Sequence, residues 1–185
     1  TMVVGTLAAL GLTRYRFRLK PVITTVTMLP IALPALFIGL SLLSYFSFLS
    51  IRLSLLTVIV GHVIYTLPYF VLVASARLER FDTAVEEAAR DLGATVWQTF
   101  WRVTFPIIGP SMVGAGILVF ALSFDEFLIS FFVIGSESTL PMLIWSMMRR
   151  SIDPRVNVIS TMVLGLSLVL IFVMSRLVEM SEITL

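Results

Sequence analysis

Two adjacent carboxylates, Asp125 and Glu126, stand at the end of a long uncharged stretch. Counted at about 1.5 Å per residue from Met112, they lie on the order of 20 Å into a membrane-crossing helix. A carboxylate that faces lipid there costs about 2.5 to 3.5 kcal/mol, so both are expected to face protein or a wet cavity. Such a pair can attract a cationic solute, relay protons, or act as acid and base in an intramembrane hydrolase. Alternatively, Asp125 only caps a helix end.

Residue counts exclude most other chemistries. The chain has no Cys and a single His, His62, so it can form no Cys/His zinc site, thiolate nucleophile or disulfide framework. Its single Lys, Lys20, is followed by Pro21, whereas an ATP-binding Walker A loop needs Gly-Lys-Ser/Thr. No nucleophile constellation accompanies the acidic pair, which argues against a hydrolase. We therefore expect no catalytic residue, metal or cofactor in this chain, and no enzyme activity of its own.

The composition is that of an integral membrane protein, because 58% of the 185 residues are hydrophobic and the mean hydropathy is +1.04. The predicted fold is an all-α polytopic membrane helix bundle, with a single transmembrane domain over residues 1–185. Predominantly apolar runs of the roughly 20 residues that a spanning helix needs place spans at 21–43, 54–76, 107–134 and 156–176, after a partial span at 1–12. The first run is too short to cross a membrane and lacks an initiator Met, so the chain is expected to be N-terminally truncated.

Prolines and tyrosines indicate a candidate solute path within these spans. Pro30 and Pro34 lie in the first complete span, and Pro68 lies between Tyr65 and Tyr69 in the next. A proline in a membrane helix frees a backbone carbonyl, which is tolerated only where other helices, hydroxyl side chains or trapped water bind it. Kinked helices are therefore expected at these positions, lining a pathway.

The distribution of basic residues predicts the orientation of the chain. Four of them crowd into residues 14–20 with no acidic neighbour, which places that loop in the cytoplasm by the positive-inside rule. Alternation then puts residues 77–105 and the C-terminus in the cytoplasm as well. The net charge of +2 does not indicate nucleic-acid binding, because the basic residues lie at membrane borders rather than in one patch.

The loop at residues 77–105 contains the one long amphipathic, charged segment of the sequence. Its first half places Val85, Ala88, Ala89 and Leu92 on one face of a helix, and it places a charged set on the other face. That charged set is Glu86, Glu87, Arg90 and Asp91. This pattern predicts a short two-faced helix that lies in water beside the bilayer and serves as a docking element.

Local signals predict where the helices of this loop begin and end. Thr83 with Glu86 forms a possible capping box, and so does Thr95 with Gln98. Gly93 is placed to stop the first helix in a left-handed turn. The pair Pro106 and Pro110 suits the first turn of the next membrane helix. A rigid element from Val85 to Phe105, with Gly93 as its fixed turn, is therefore expected.

An outer loop, at residues 135–155, is expected to carry a small interfacial helix. Pro141 suits its first turn, and Asp153 with Pro154 would end it. The apolar residues between them are Met142, Leu143, Trp145, Met147 and Met148, followed by Arg149 and Arg150. Such a helix would form a lid or shelf at the external mouth.

The cytoplasmic loop resembles the signature of the permease subunits of ABC-type importers: Glu-Ala-Ala, three residues, Gly, nine residues, Ile, one residue, Leu-Pro. The matching residues are Glu87, Ala88, Ala89, Gly93, Val103, Phe105 and Pro106. Val and Phe replace Ile and Leu, and both remain apolar. Three other stretches resemble the spermidine/putrescine branch of this family: Arg14-Tyr15-Arg16-Phe17-Arg18, Leu122 to Phe127, and Leu140-Pro141.

This resemblance implies a type I importer permease in a bacterial inner membrane, crossing it several times. It implies two cytoplasmic ATPase subunits that contact the motif, with Glu87 on the polar face and Ala88 and Ala89 allowing close approach. It also implies a second permease subunit, identical or different, a periplasmic solute-binding protein, and surrounding lipid. The expected solute is a polyamine. There are two alternatives. One is the same role for another small solute, and the other is a secondary transporter that relays protons through Asp125 and Glu126.

Overall fold

The computed structural model describes residues 1–150 and 154–183, and the described part is almost entirely helical. The helices are α1 (Met2–Arg14), α2 (Lys20–Ala32), α3 (Ala35–Phe48), α4 (Leu55–Glu79), α5 (Ala84–Asp91) and α6 (Val96–Thr99). A π-helical turn (Phe100–Thr104) leads into α7 (Phe105–Asp125), which is followed by α8 (Leu128–Val133), α9 (Leu140–Arg150) and α10 (Pro154–Ile183). The expected all-α polytopic bundle is confirmed.

Within the described residues, three helical stretches are long and apolar enough to cross a membrane: Leu55–Glu79, Val96–Asp125 and Val156–Val173. A fourth is possible if the bent pair α2 and α3 counts as one span. The helix α1 is apolar but shorter. The last stretch has none of its residues fully buried by the rest of the chain, so most of its apolar surface is left uncovered by the described residues.

Helices α2 and α3 meet at an angle of 111°, which is a break rather than the kink expected from the sequence. Leu33, between the two helices, is extended with φ −100° and ψ 132°. The following residue is Pro34, whose ring disfavours the helical conformation of the residue before it. Pro34 therefore ends α2 and starts α3.

The larger core lies where α1, α4 and α7 pack together. Phe70 and Ala74 of α4 are fully buried, as are Ala9 of α1 and Ile108 of α7. Helix α4 contacts α1, α2, α3, α7 and α8, so it is the central helix of the described bundle. This core fixes the first half of α7 beside α1 and α4.

A second core forms around the short helix α8. Ile129 and Val133 of α8 are fully buried and pack on Ile38 of α3 and Val58 of α4. The helices α3 and α8 approach closely at Gly39, where an added Cβ would lie 3.1 Å from the Cα of Ile129. A side chain at Gly39 would therefore push α8 away from α3.

The outer-loop helix predicted from the sequence is present as α9, with Pro141 in its first turn. Trp145 of α9 packs on Phe127 and Phe131, with ring centroids 5.5 Å and 5.9 Å apart. The predicted breaker Asp153 lies outside the described residues. The aromatic contacts place α9 over the junction between α7 and α8.

Candidate functional site

The segment from α5 to the π turn follows several of the local sequence signals. Gly93 has a φ of +88°, as expected for a left-handed turn, and an added Cβ would meet nothing within 4 Å. The capping box of Thr95 and Gln98 is complete: the amide of Gln98 donates to Thr95 Oγ1 and the amide of Thr95 donates to Gln98 Oε1. Pro106 lies in the first turn of α7. These predictions are confirmed.

Other local predictions for this segment are wrong. Pro110 lies inside α7 rather than in its first turn. Thr83 makes no side-chain cap, because the Asp82 carboxylate accepts from the Ala84 amide and serves as the local cap instead.

Glu86 is the largest departure from the sequence analysis, which placed it on the charged outer face. It is only 8% exposed. Its carboxylate accepts two hydrogen bonds from the Arg14 guanidinium, Nη1 to Oε2 and Nη2 to Oε1, both at 2.9 Å. Thr104 Oγ1 donates a third, at 2.6 Å to Oε1. We call these three residues the Glu86 cluster.

The predicted apolar face of α5 is largely exposed. Leu92 is 90% exposed and Val85 44%, while Val96 and Trp97 of α6 are each 70% exposed. Glu87 is exposed beside them. An apolar patch of this kind on one short element is typical of a surface that another protein covers.

The second candidate site is the break between α7 and α8. Glu126, between the helices, is extended with φ −74° and ψ 106°. Its side chain is 9% exposed, and Glu126 Oε1 accepts the amide of Ile129 at 3.0 Å. The carboxylate that caps a helix is therefore Glu126, which caps the start of α8, and not Asp125 as the capping alternative proposed.

His62 of α4 joins the two sides of this break. Its Nδ1 lies 2.8 Å from Ser123 Oγ on α7, and its Nε2 lies 2.9 Å from Ser130 Oγ on α8. Ser130 uses its one hydroxyl proton to donate to the Glu126 carbonyl at 3.1 Å. A neutral His62 then donates from Nε2 and accepts from Ser123 at Nδ1. This role was not predicted from the sequence, although a lone histidine inside an apolar span is itself a signal of a functional position.

Asp125 is exposed at the break and lines two neighbouring cavities. One, of about 360 Å³, is lined also by Tyr65 and Glu126, and by the α10 residue Ser167. The other, of about 280 Å³, is lined also by Phe127 and Trp145. Among the described residues, none donates a hydrogen bond to the Asp125 carboxylate. Asp125 is thus available to a ligand in either cavity, whereas Glu126 is held by the backbone.

The structure brings together only some of the residues predicted to line a path. Tyr65, Asp125 and Glu126 share the larger cavity. Tyr69 does not line it but contacts Tyr65 edge to face, with the ring centroids 5.8 Å apart. Pro30 and Pro34 flank the break between α2 and α3 and line neither cavity. Their contribution is to bend the chain.

These features define a polytopic helical membrane protein with a two-helix element outside the bundle and a broken helix inside it. The family described as "Binding-protein-dependent transport system inner membrane component" matches residues 1–182. The chain belongs to this family, as the resemblance of its motif suggested.

Curated relatives agree with this assignment. The spermidine/putrescine transport system permease protein PotC of Escherichia coli (strain K12) is 36% identical over 169 residues, covering 91% of this chain and 64% of PotC. The putrescine transport system permease protein PotI of the same organism is 37% identical over 171 residues, covering 88% of this chain and 61% of PotI. The chain thus spans somewhat less than two thirds of the length of these relatives.

A solved structure supports the fold. A chain of the MetNI methionine ABC transporter, in inward-facing conformations, superposes with a TM-score of 0.74. The match covers 97% of this chain and 87% of that chain, at 17% sequence identity. This likeness establishes that the bundle has the architecture of a chain in that transporter.

Proposed function

We propose that this chain is the membrane-spanning subunit of an ATP-driven importer and that α5, Gly93 and α6 form its contact with a partner ATPase. The observation that carries the proposal is the exposed face of this element. It combines Leu92, Val96 and Trp97 with the exposed carboxylate of Glu87. The matching motif runs on through Val103, Phe105 and Pro106 into α7.

The geometry supports a mechanism for coupling. The turn at Gly93 and the capped start of α6 fix the direction in which the chain re-enters the bundle. The π-helical turn then joins α6 to α7 without a flexible linker. When ATP draws two ATPases together, a displacement of α5 is carried into α7 as a rigid-body motion.

Polyamines are the solutes that the site fits best. They are polycations, and the relatives PotC and PotI carry spermidine or putrescine in their names. Asp125 offers a free carboxylate, and the cavities it lines contain the rings of Tyr65, Phe127 and Trp145, which can lie against an ammonium group. A proton relay through both carboxylates is disfavoured, because Glu126 is engaged as a helix cap.

The remaining partners follow from this role. A second permease subunit, identical or different, would cover part of the exposed surface of α10, and a periplasmic solute-binding protein would deliver the solute to the side of α9. The Gly93 element and the C-terminus would lie in the cytoplasm, in a bacterial inner membrane.

The coupling part of the proposal is tested by isolating the full-length chain with its partner ATPase. Leu92→Asp and Trp97→Asp place charge on the exposed apolar face, and each is expected to release the ATPase while the permease stays in the membrane. An exposed apolar residue of a span, such as Leu56 of α4, is unsuitable as a control because Leu56→Asp would disturb the spans. The control is therefore Ser136→Asp, which places the same charge at an exposed site outside the element and should retain the ATPase. Retention of the ATPase by both Leu92→Asp and Trp97→Asp would contradict the assigned contact.

A further inference from the structure

The Glu86 cluster joins three parts of the chain that are distant in sequence. Arg14 ends α1, Glu86 lies in the first turn of α5, and Thr104 ends the π-helical turn. Arg14 and Glu86 are 72 residues apart. The guanidinium carbon of Arg14 also lies 5.1 Å from the centroid of the Phe81 ring, just before α5. The Glu86 side chain of α5 is therefore bound by α1, through Arg14, and by the π-helical turn, through Thr104.

The geometry of the cluster leaves little freedom. Both Glu86 oxygens accept from the two ends of one guanidinium, and a planar fork of this kind fixes direction as well as distance. The side chains of Arg14 and Glu86 are only 22% and 11% exposed. Leaving either charge in place without the other would strand a partly buried charge, which is costly. The arrangement therefore favours one position of α5 relative to α1.

Few other contacts could hold α5 in that position. Among the described residues, α5 packs mainly on α6 and the π turn, whereas its residue Val85 and the following Leu92 are exposed. A groove of about 510 Å³ is lined by residues of α1, α5, α6 and the π turn, with Arg14, Glu86 and Thr104 among them. The Glu86 cluster therefore forms part of the wall of this groove.

We propose that Arg14, Glu86 and Thr104 are positioning residues that make α5, the end of α1 and the start of α7 move as one body. The inference rests on the proposed ATPase contact of α5 and adds to it a route: displacement of α5 reaches α1 through Arg14 and α7 through Thr104. Without the cluster, α5 would tilt in the groove when the ATPase moves, and less of that motion would reach the spans.

The mobility of α5 tests this inference without any assay of transport. Leu92 is exposed and the 185 residues contain no cysteine, so Leu92→Cys gives a single site in this chain for a nitroxide label. In the full-length protein, the spectrum should show restricted motion that becomes freer in Glu86→Gln and in Arg14→Gln. The matched controls are Glu79→Gln and Arg16→Gln, the same changes at exposed residues, and they should leave the spectrum unchanged. Equal mobility in all five proteins would overturn the inference.

The consequence for coupling is measured in the complete transporter as spermidine taken up per ATP hydrolysed. The variants Glu86→Gln and Arg14→Gln should keep their ATPase bound and hydrolyse ATP. Their uptake of spermidine per ATP should nevertheless fall by about fivefold or more. The double variant Arg14→Gln/Glu86→Gln should be no worse than the worse single variant, because both remove the same interaction. Normal uptake per ATP in both single variants would also overturn the inference.

A conservative variant covers the case in which loss of the ion pair prevents folding. Arg14→Lys keeps the charge but a single ammonium cannot reproduce the two-pronged contact, so it should show intermediate label mobility and intermediate uptake per ATP. Behaviour equal to the unaltered protein would contradict the positioning role.

The docking proposal and the positioning role fail differently. An ATPase that does not bind the unaltered protein contradicts the docking proposal, whereas the mobility of the label decides the positioning role in either case.

Discussion

Asp125 and Glu126 are neighbours in the chain, but the break between α7 and α8 gives them different surroundings. Glu126 is buried and accepts the amide of Ile129, whereas Asp125 is exposed in two cavities with no hydrogen-bond donor from the described residues. The two carboxylates therefore have different surroundings: Glu126 holds the start of α8, and Asp125 lies at the surface of the proposed solute path.

Substitution of these two residues should separate the roles. Asp125→Asn deletes a free charge, so the apparent KM for spermidine should rise by about tenfold, the equivalent of one charged contact. Glu126→Gln keeps an acceptor for the Ile129 amide and should change KM little. The measurement is uptake at graded spermidine concentrations, normalised to the membrane level of each variant. An unchanged KM in Asp125→Asn would remove it from the solute path.

His62 should matter through the shape of the break. His62→Leu removes both hydrogen bonds to Ser123 and Ser130 and should lower stability by about 1 to 3 kcal/mol. His62→Gln can keep one of these hydrogen bonds, so its stability should lie between those of the unaltered protein and His62→Leu. The midpoints of thermal unfolding in detergent measure the order of the three stabilities. Equal midpoints would show that the serine contacts do not hold α7 and α8 together.

The turn at Gly93 requires a residue that tolerates positive φ. No atom lies near its Cβ position, so the cost of Gly93→Val comes from the backbone alone and should be about 1 to 2 kcal/mol. We expect membrane insertion to persist and ATP-dependent uptake to fall sharply. Gly93→Asn is the matched control, because Asn adopts this conformation more readily than β-branched residues. Full uptake by Gly93→Val would contradict the need for a fixed turn.

Glu87 is exposed on α5 and is expected to contact the ATPase directly. Glu87→Arg should weaken retention of the ATPase on purification while the spans remain intact. Glu79→Arg makes the same charge reversal at an exposed residue at the end of α4, outside the proposed contact, and should retain it. If both variants retain the ATPase equally well, Glu87 lies outside the interface.

The sequence predicted the features that depend on local chemistry. The positive φ of Gly93 and the capping box of Thr95 and Gln98 involve residues within one turn of each other, so their types and spacing were sufficient. The apolar runs likewise predicted membrane helices, since length and hydropathy are local properties. The motif was recognised for the same reason.

Features that depend on distant partners were not predictable in this way. Glu86 has the charge pattern of an outer-face residue, and only Arg14, 72 residues away, explains its burial. The break at Glu126 contains neither proline nor glycine, and it is bridged by His62, which is 61 residues from Ser123 and 68 from Ser130. No helical periodicity carries information over such separations.

The most direct test of the importer assignment is solute uptake into vesicles that contain the complete transporter. The full-length chain, its partner permease and its ATPase would be reconstituted with ATP inside and with the loaded binding protein outside. We predict that labelled spermidine accumulates only with ATP and an ATPase whose Walker A lysine is intact, and that a proton ionophore has no effect. Accumulation that persists without ATP and collapses with the ionophore would contradict the assignment and favour a secondary transporter.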